Sequence, residues 1–204
     1  KELRIIVDRN QNVNMTHPRM ASQIVPLLAD RWSPRSFIEG KGVSDGTINL
    51  LFEAARMAPS SFNEQPWEYL VATFESEGFA KMVDCLSPNN RQWAHKVSLL
   101  ILSLTRLTFR HNGKVNRHAY HDVGAANFSL VLQAVNEGLY CHQMAGFDMD
   151  QTIRTFDLDV DLEPVCFIAV GYKEAADQLP EPLRAREVAQ KTRKSKSEFV
   201  KLLG

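Results

Sequence analysis

The stretch over residues 122–139, DVGAANFSLVLQAVNEGL, constrains the fold more than any other part of this 204-residue chain. Its residues are apolar nearly all round a helical wheel, whereas a surface helix shows a single apolar stripe. Such a helix must be covered on several sides, in a core or at a subunit interface. A chain of this length with 44% hydrophobic residues can bury a core of that size. We therefore expect one domain over residues 1–204.

The rest of the chain alternates between strand and helix patterns. Runs of β-forming residues predict strands over 68–74, 97–104 and 165–170. Apolar residues at helical spacing predict helices over about 17–30 and from Ser44 or Asp45 to Pro59, with shorter helices around 76–86 and 149–157. Strands and helices in this order are typical of an α+β fold.

Charge and hydropathy narrow the class of partner. The chain has 24 Lys and Arg against 24 Asp and Glu, so no overall field attracts nucleic acid or an anionic membrane. Its longest apolar run, 97–104, is far shorter than the roughly 20 residues that span a bilayer. Cys85, Cys141 and Cys166 form no CxxC pair, which indicates a reducing compartment, the cytoplasm. The expected partner is a small molecule or another protein chain.

The two ends differ in character from the middle. Residues 1–16 mix apolar and polar side chains and form an N-terminal extension. Because the chain begins at Lys1 rather than Met, the removal of an upstream targeting segment remains an alternative. Residues 184–204 form a basic tail, which is either a solvated arm or a phosphate site. Its cations are Arg184, Arg186, Lys191, Arg193, Lys194, Lys196 and Lys201, against Glu187 and Glu198.

The segment RWSPRSF, residues 31–37, places two guanidinium groups around a serine. Pro34 fixes the local backbone and keeps the segment out of a helix. Because side chains alternate along an extended backbone, Arg31, Ser33 and Arg35 should project to one side. Two planar forks and a hydroxyl suit a phosphate or the electron-rich edge of a heterocycle. A surface ion-pair cluster is the alternative.

In the segment APSSFNEQPW, residues 58–67, the helical pattern ends at Pro59, and regular structure resumes at Pro66. Pro, Ser and Asn are common in loops because of their local backbone preferences, so a helix-to-strand loop accounts for this composition by itself. The alternative is that its hydroxyls and amides contact a ligand.

Metal and dinucleotide motifs are absent from the sequence. His111, His118 and His121 cluster, but no HExxH or CxxC accompanies them, so we expect no metal site. GKGVSDG, residues 40–46, follows no predicted strand and is expected to be a loop rather than a dinucleotide fingerprint.

A serine hydrolase is a further alternative. Ser60 or Ser61 could combine with His121 and Asp122 in a triad, yet the sequence has no GxSxG elbow and no oxyanion loop. This reading predicts that a fluorophosphonate labels one of the two serines, and we expect no labelling.

Five segments in order resemble the nitroreductase family of FMN-dependent oxidoreductases, from about residue 20 to residue 200. RWSPRSF resembles the family's RxSxR element, and AARMAPSSFNEQPWEYLV its helix, polar loop and strand. AYHDVGAANFSLVLQAVNEGLYCHQMAGFD is similar to its central helix and Gly-Phe-Asp turn, PVCFIAVGY to the next strand, and KTRKSKSEFV to its closing basic element. The resemblance implies a nitroreductase-like fold, in which helices flank a central mixed, mostly antiparallel sheet, in an intertwined homodimer.

The resemblance also implies FMN as cofactor, bound at the dimer interface, and NADH or NADPH as electron donor. Arg31 and Ser33, with Lys191 and Arg193 of the basic tail, would hold the FMN phosphate. Arg35 would lie near the pyrimidine edge of the flavin, where a fixed cation favours the reduced anion.

Further site residues follow from the same resemblance. Asn90 matches an asparagine that hydrogen-bonds the uracil-like edge of the flavin, with Asn89 as the alternative. The turn MAGFD supplies Gly146, whose backbone N–H, or that of its neighbour Ala145, would point at flavin N5; glycine permits the close approach. From the other subunit, a polar loop would contact the ring and ribityl chain. Its residues are Pro59, Ser60, Ser61 and Asn63.

Two positions depart from the family pattern. Trp93 stands where some members have a basic side chain near the flavin, and Ala145 stands where others have an acidic one. Tyr120 and His121 fall near the flavin edge in the same alignment, and neither is assigned a role.

The implied activity is reduction of a small-molecule acceptor, such as a nitroaromatic or a quinone, by a ping-pong mechanism. Alternatives with the same fold are a reductive dehalogenase, a flavin-degrading enzyme and a non-catalytic FMN-binding sensor. Dehalogenating relatives close a lid over a zwitterion, and the corresponding segment here, residues 106–120, is basic without an acidic residue to hold an ammonium group.

Overall fold

The computed structural model describes residues 24–189 and 192–203. Helices and strands alternate along these ranges, with short 3₁₀ turns at Ser61–Asn63, Ala176–Gln178 and Lys196–Glu198. In chain order the elements are α1 (Pro26–Asp30), α2 (Asp45–Arg56), β1 (Trp67–Thr73), α3 (Glu77–Cys85), α4 (Pro88–Ala94), β2 (Leu99–Arg106), α5 (Ala119–Asn136), β3 (Tyr140–Met144), α6 (Met149–Phe156), β4 (Leu162–Gly171) and α7 (Leu183–Val188).

Side-chain caps start three of the helices. In each of α2, α3 and α6 the residue before the helix accepts a hydrogen bond from the backbone N–H three residues on, which satisfies a donor that the helix leaves free. The pairs are Ser44 with Thr47, Ser76 with Phe79, and Asp148 with Gln151. The predicted start of α2 is therefore confirmed.

The four strands form one sheet in the order β1-β2-β4-β3. All three pairings are antiparallel, with β2 and β4 in the centre. The predicted α+β class is confirmed. The mixed sheet that we expected is not seen in the described part of the chain, where no two strands run parallel.

Helices cover both faces of this sheet. Successive residues of β2 are buried against opposite layers because side chains alternate along a strand. Leu99 and Ile101 belong to a core with α2 and α5, whereas Leu100 and Leu102 belong to a core with α3 and α4. A strand buried on both faces is apolar without interruption, which is why residues 97–104 were recognisable from the sequence.

The central helix α5 confirms the strongest sequence prediction. Val123, Ala126 and Leu130 are fully buried against the sheet and α2. On the other side of α5, Tyr120 and Phe128 are exposed in the single chain.

Several elements differ from the predictions. Of the helix expected over 17–30, only α1 lies within the described residues; residues 17–23 and the extension 1–16 lie outside them. Strand β3 and helices α4 and α7 were not predicted, because each has ten or fewer residues and mixes polar with apolar side chains. None of the described helices combines the length and the hydropathy that crossing a bilayer requires.

Candidate functional site

Segment 31–37 is extended, with alternating burial as its spacing predicts. Trp32 and Pro34 are buried, whereas Arg31, Ser33 and Arg35 are half-buried. Nη1 of Arg31 donates a hydrogen bond to the Ser33 hydroxyl at 3.2 Å, so these two side chains lie together.

Hydrogen bonds fix this segment beside the end of β4. The Ser36 hydroxyl donates to the carbonyl of Ala175 at 2.6 Å, and the backbone N–H of Ile38 donates to the carbonyl of Tyr172 at 2.9 Å. The predicted cationic segment therefore rests on the sheet rather than in a free loop.

A cleft of about 300 Å³ opens beside Arg31 and is called the Arg31 cleft. No carboxylate is among the described residues that line it, so its electrostatic field favours an anion. The lining residues are Arg31, Ser33, Phe128, Val131, Cys141 and Gln143.

Arg193 of the basic tail lies near enough to Arg31 to influence the pKa of its guanidinium. The pKa of Arg31 is lowered, first by burial and then by repulsion from Arg193. Nη1 of Arg193 donates to the carbonyl of its neighbour Thr192 at 3.0 Å, and among the described residues no carboxylate pairs with either arginine. Two like charges at close range are stabilised by an anion between them. Lys191 lies outside the described residues.

Cys141 adds no nucleophile to the Arg31 cleft. Burial raises the pKa of its thiol to about 12, and the nearby Arg31 offsets this only in part. Because the thiolate is the reactive form, this neutral thiol is chemically inert near neutral pH.

A second cleft, of about 330 Å³, is called the Gly146 cleft. It shares Gln143 with the Arg31 cleft, so the two are neighbours at strand β3. Its lining contains two arginines and no carboxylate. The lining residues are Arg35, Ser87, Asn89, Asn90, His142, Gln143, Met144, Ala145, Gly146, Leu183 and Arg186.

Gly146 occupies a crowded position in which a side chain would force its neighbours to move. A Cβ here would lie 2.8 Å from Ser87 Oγ and 2.9 Å from Asn90 Nδ2. The Gly146 carbonyl accepts hydrogen bonds from the Ser87 backbone N–H at 3.0 Å and from Asn90 Nδ2 at 2.9 Å. Its own N–H donates to no other residue in the described part of the chain. The turn therefore presents a free backbone donor. Asn90 stabilises the turn through its side-chain nitrogen, and its side-chain oxygen is available to a ligand.

Arg35 is held by a carboxylate that the sequence did not reveal. Its backbone N–H donates to Oε2 of Glu187 at 2.9 Å, and its Nη1 lies 3.9 Å from the same oxygen. Nη1 is buried and donates no hydrogen bond to any described residue. A buried donor without a hydrogen-bond acceptor is costly, and a ligand oxygen in this cleft would satisfy it.

Trp93 belongs to the core rather than to the cleft. It is 1% exposed, and its ring lies 6.0 Å from the ring of Phe37 and 4.8 Å from that of His142. The position where some family members have a cation therefore contributes none here.

Five residues that line or support the clefts were not identified from the sequence. They are His142, Gln143, Leu183, Arg186 and Glu187. They lie on β3 and α7, which were themselves not predicted. His142 Nδ1 donates to the carbonyl of Pro34 at 2.8 Å, which fixes the ring against segment 31–37. Only Arg186 carried a signal in the sequence, as a cation of the basic tail.

The polar loop 58–65 is anchored away from both clefts. The Ser61 backbone N–H donates to Oδ2 of Asp122 at 2.9 Å, and Ser60 Oγ accepts from the Gln65 backbone N–H at 3.0 Å. Pro59, Ser60, Ser61 and Asn63 do not line the Arg31 cleft or the Gly146 cleft of their own chain.

This loop also stores backbone strain. Phe62, Asn63 and Gln65 have φ values of 54°, 56° and 51°, in the left-handed region that non-glycine residues seldom adopt. The Phe62 side chain is 86% exposed. Strain and an exposed aromatic ring in one loop are typical of a binding surface.

The imagined hydrolase triad does not assemble. Asp122 Oδ1 lies 3.1 Å from His121 Nδ1, but its partner on the serine side is the backbone N–H of Ser61. Among the described residues, no hydrogen bond joins a hydroxyl of Ser60 or Ser61 to His121.

Segment 106–120 folds against the polar loop. Arg106 pairs with Glu68 at 3.0 Å and Asp161 at 3.2 Å, and Arg110 pairs with Glu68 at 3.2 Å. Two of the four Lys and Arg side chains of the segment are therefore paired with carboxylates.

At the end of the same segment, the Tyr120 hydroxyl donates to Glu163. Burial, with this hydrogen bond, raises the pKa of Tyr120 to about 12. Tyr120 is therefore a poor proton donor at neutral pH.

Comparisons with known proteins agree on one family. A family model described as the nitroreductase family matches residues 28–172. A crystal structure described as an oxidoreductase containing FMN superposes with a TM-score of 0.80 at 32% identity, over 87% of this chain and 93% of that chain. A nitroreductase family protein from Clostridium difficile 630 superposes with a TM-score of 0.68 at 26% identity, over 88% of this chain and 98% of that chain.

Curated relatives align over shorter ranges. The major NAD(P)H-flavin oxidoreductase of Aliivibrio fischeri is 29% identical over 89 residues, which is 41% of this chain. The chain spans 38% of the length of that relative and 63% of the length of a 15.4 kDa protein from Mycolicibacterium smegmatis.

Proposed function

Because the chain belongs to the nitroreductase family, we propose that it is an FMN-dependent oxidoreductase that uses NADH or NADPH to reduce a small-molecule acceptor. The solved relative with 32% identity contains FMN, and the curated relative from Aliivibrio fischeri is an NAD(P)H-flavin oxidoreductase. The three buried cysteines are free thiols, which supports a cytoplasmic location.

The proposal rests on polar groups along the two neighbouring clefts and on the order in which they lie there. Arg31 lines the Arg31 cleft, and Arg193 of the basic tail lies near enough to lower the pKa of Arg31, so the two cations suit a phosphate. The Gly146 cleft holds the unpaired backbone donor of Gly146, the side-chain oxygen of Asn90 and the buried Nη1 of Arg35. These groups fit an elongated molecule with a phosphate at one end and a heterocycle with polar edges at the other.

In this proposal each residue binds or orients rather than transfers protons. Arg31, Ser33 and Arg193 hold the phosphate, and Lys191 is a fourth phosphate ligand by resemblance. Asn90 binds the polar edge of the ring, while the N–H of Gly146 or Ala145 faces its reactive nitrogen. FMN, when bound, supplies hydride acceptance from NAD(P)H and onward reduction, so the protein needs no acid-base pair.

We infer that donor and acceptor use the same open cleft in turn, which gives ping-pong kinetics. The Gly146 cleft carries Arg35 and Arg186 without a carboxylate, which favours acceptors with exposed oxygens, such as nitroaromatics and quinones, over cationic ones. The paired arginines of segment 106–120 offer no free acid for an ammonium group, so this site suits a zwitterionic halotyrosine poorly.

The test is direct. The purified protein should bind FMN one per chain, and anaerobic NADH or NADPH should bleach the flavin absorbance within seconds. Steady-state turnover should be higher with a quinone or a nitroarene than with a halotyrosine. A protein that cannot be reconstituted with FMN contradicts the proposal, and a flavin that neither nicotinamide reduces points instead to a sensor.

We further propose that the protein is a homodimer in which the polar loop of one chain completes the cleft of the other. The loop lines neither cleft of its own chain, its Phe62 is exposed, and α5 leaves Tyr120 and Phe128 uncovered. Pro59, Ser60, Ser61 and Asn63 would then contact the ring and ribityl chain of the neighbouring site.

Mixed dimers test this arrangement. A chain carrying Asn63→Ala is co-expressed with a differently tagged chain carrying Arg31→Ala, and the mixed dimer is purified through both tags. If the loop acts on the neighbouring chain, one site carries both defects and the other is intact, so one FMN binds per dimer at wild-type affinity. Two weakened sites would mean that the loop serves its own chain.

Gln65→Ala is the matched control for Asn63→Ala. Gln65 has a φ of 51°, so both substitutions place alanine in the left-handed region of the same loop. The control should leave FMN affinity within about twofold of wild type.

A further inference from the structure

A buried carboxylate lies next to the Gly146 cleft. Glu187 on α7 is 5% exposed, and Leu183 and Arg186 of the same helix line the cleft. Burying an ionised carboxylate is costly unless it is paired and hydrogen-bonded. Among the described residues, all hydrogen-bond and ion-pair partners of Glu187 come from segment 31–37.

The contacts of Glu187 fix Arg35 at two points. Oε2 accepts from the Arg35 backbone N–H at 2.9 Å and lies 3.9 Å from Arg35 Nη1. Oε1 accepts from Trp32 Nε1 at 3.4 Å, which holds the other carboxylate oxygen. The carboxylate thus holds the Arg35 backbone and lies within ion-pair distance of its guanidinium, whose buried Nη1 donates no hydrogen bond to any described residue.

The two charges act on a bound ligand with opposite sign. Arg35 lines the cleft, whereas Glu187 lies behind it and lines no part of the cleft. Because Coulomb energy falls with distance, the nearer cation dominates and the carboxylate offsets part of its effect. Low-dielectric surroundings make both contributions larger than they would be in water.

We propose that Glu187 is a positioning residue that orients Arg35 and offsets part of its charge, and so lowers the redox potential of the flavin in this cleft. The inference rests on the proposed function, because the potential is that of bound FMN. Reduction adds negative charge to the ring, so any loss of the nearby carboxylate favours the reduced form.

Glu187→Gln tests the inference with little change of shape. The amide oxygen of glutamine can still accept from the Arg35 N–H, whereas the negative charge is lost and the weaker contact with Trp32 is given up. Titration of oxidised FMN, and of reduced FMN under anaerobic conditions, gives the ratio of the two dissociation constants. We expect this ratio to shift about tenfold toward the reduced form, which corresponds to about 30 mV for a two-electron couple.

Two variants accompany it. Glu181→Gln makes the same charge change just before α7, but Glu181 is exposed and pairs with Arg184 instead of Arg35. It should leave the ratio unchanged. Glu187→Asp keeps the charge and withdraws it by one methylene group from Arg35, so it should shift the ratio in the same direction by about threefold, an intermediate step.

These measurements distinguish a failure of the role of Glu187 from a failure of the proposed function. A wild-type protein that binds no FMN rejects the proposed function and this inference with it. If wild type binds FMN and a folded Glu187→Gln keeps the wild-type ratio, or Glu181→Gln shifts it equally, the inference alone is overturned. Should Glu187→Gln fail to fold, an unchanged ratio in Glu187→Asp overturns it in the same way.

Discussion

Gly146→Ala should weaken FMN binding by roughly 30- to 150-fold, equivalent to about 2–3 kcal/mol. The new Cβ would lie 2.8 Å from Ser87 Oγ and 2.9 Å from Asn90 Nδ2, closer than real Cβ atoms come. Asn90 or the turn must therefore shift, which weakens the 2.9 Å hydrogen bond from Asn90 to the Gly146 carbonyl and displaces the free N–H. Two hydrogen bonds to the cofactor are lost together, at about 1–1.5 kcal/mol each.

Calorimetric titration with FMN measures the affinity, and thermal unfolding without FMN measures the accompanying loss of stability. Overpacking of this kind costs about 1–3 kcal/mol of folding free energy. The control is Gly46→Ala in the first turn of α2, where a Cβ meets only Ser44 Oγ at 3.8 Å. Ser87→Ala in the Gly146→Ala background removes the 2.8 Å contact and should restore part of the stability. Wild-type FMN affinity in Gly146→Ala would contradict the role of this turn.

Strong periodic signals made much of the fold predictable. Residues 122–139 are apolar around most of the helix, and α5 indeed buries Ala126, Leu130, Val131 and Ala134 in one of the two cores. Strand β2 is buried on both faces and is therefore an uninterrupted apolar run. Ser44 caps α2 through a contact three residues away, which is local enough to read from the sequence.

Short elements and long-range pairs were not predictable. Strand β3 has five residues, with His142 and Gln143 among them, so it shows neither an apolar run nor a clear alternation. Glu187 pairs with Arg35 across 152 residues, and nothing local marks this glutamate among the charges of the tail. Packing in three dimensions, rather than residue type, makes it a buried partner.

The polar loop shows a different limit. Its composition predicted a loop, but not that Phe62, Asn63 and Gln65 adopt positive φ without a glycine. Such strain persists only where surrounding contacts enforce it, here the hydrogen bond from Ser61 to Asp122 of α5. A single sequence carries no local signal for a conformation that distant residues impose.

Arg193→Ala should weaken FMN binding by roughly ten- to a hundredfold, the equivalent of one charge-assisted contact. The affinity for riboflavin, which has no phosphate, should stay unchanged, because Arg193 acts on Arg31 and does not line the Gly146 cleft. Fluorescence titration with each flavin gives both values. Lys194→Ala is the matched control, since it removes an adjacent exposed cation of the same tail.

The sign of the stability change separates a phosphate site from a solvated arm. Repulsion from Arg193 contributes to the lowered pKa of Arg31, so without an anion the two cations destabilise each other. Arg193→Ala should therefore leave the melting temperature of the FMN-free protein equal or slightly higher, while the gain in melting temperature on adding FMN becomes smaller. A solvated arm would change neither quantity, and a purely structural arginine would lower the first. Only a cation pair held for an anionic ligand reduces the gain on adding FMN without lowering the melting temperature of the FMN-free protein.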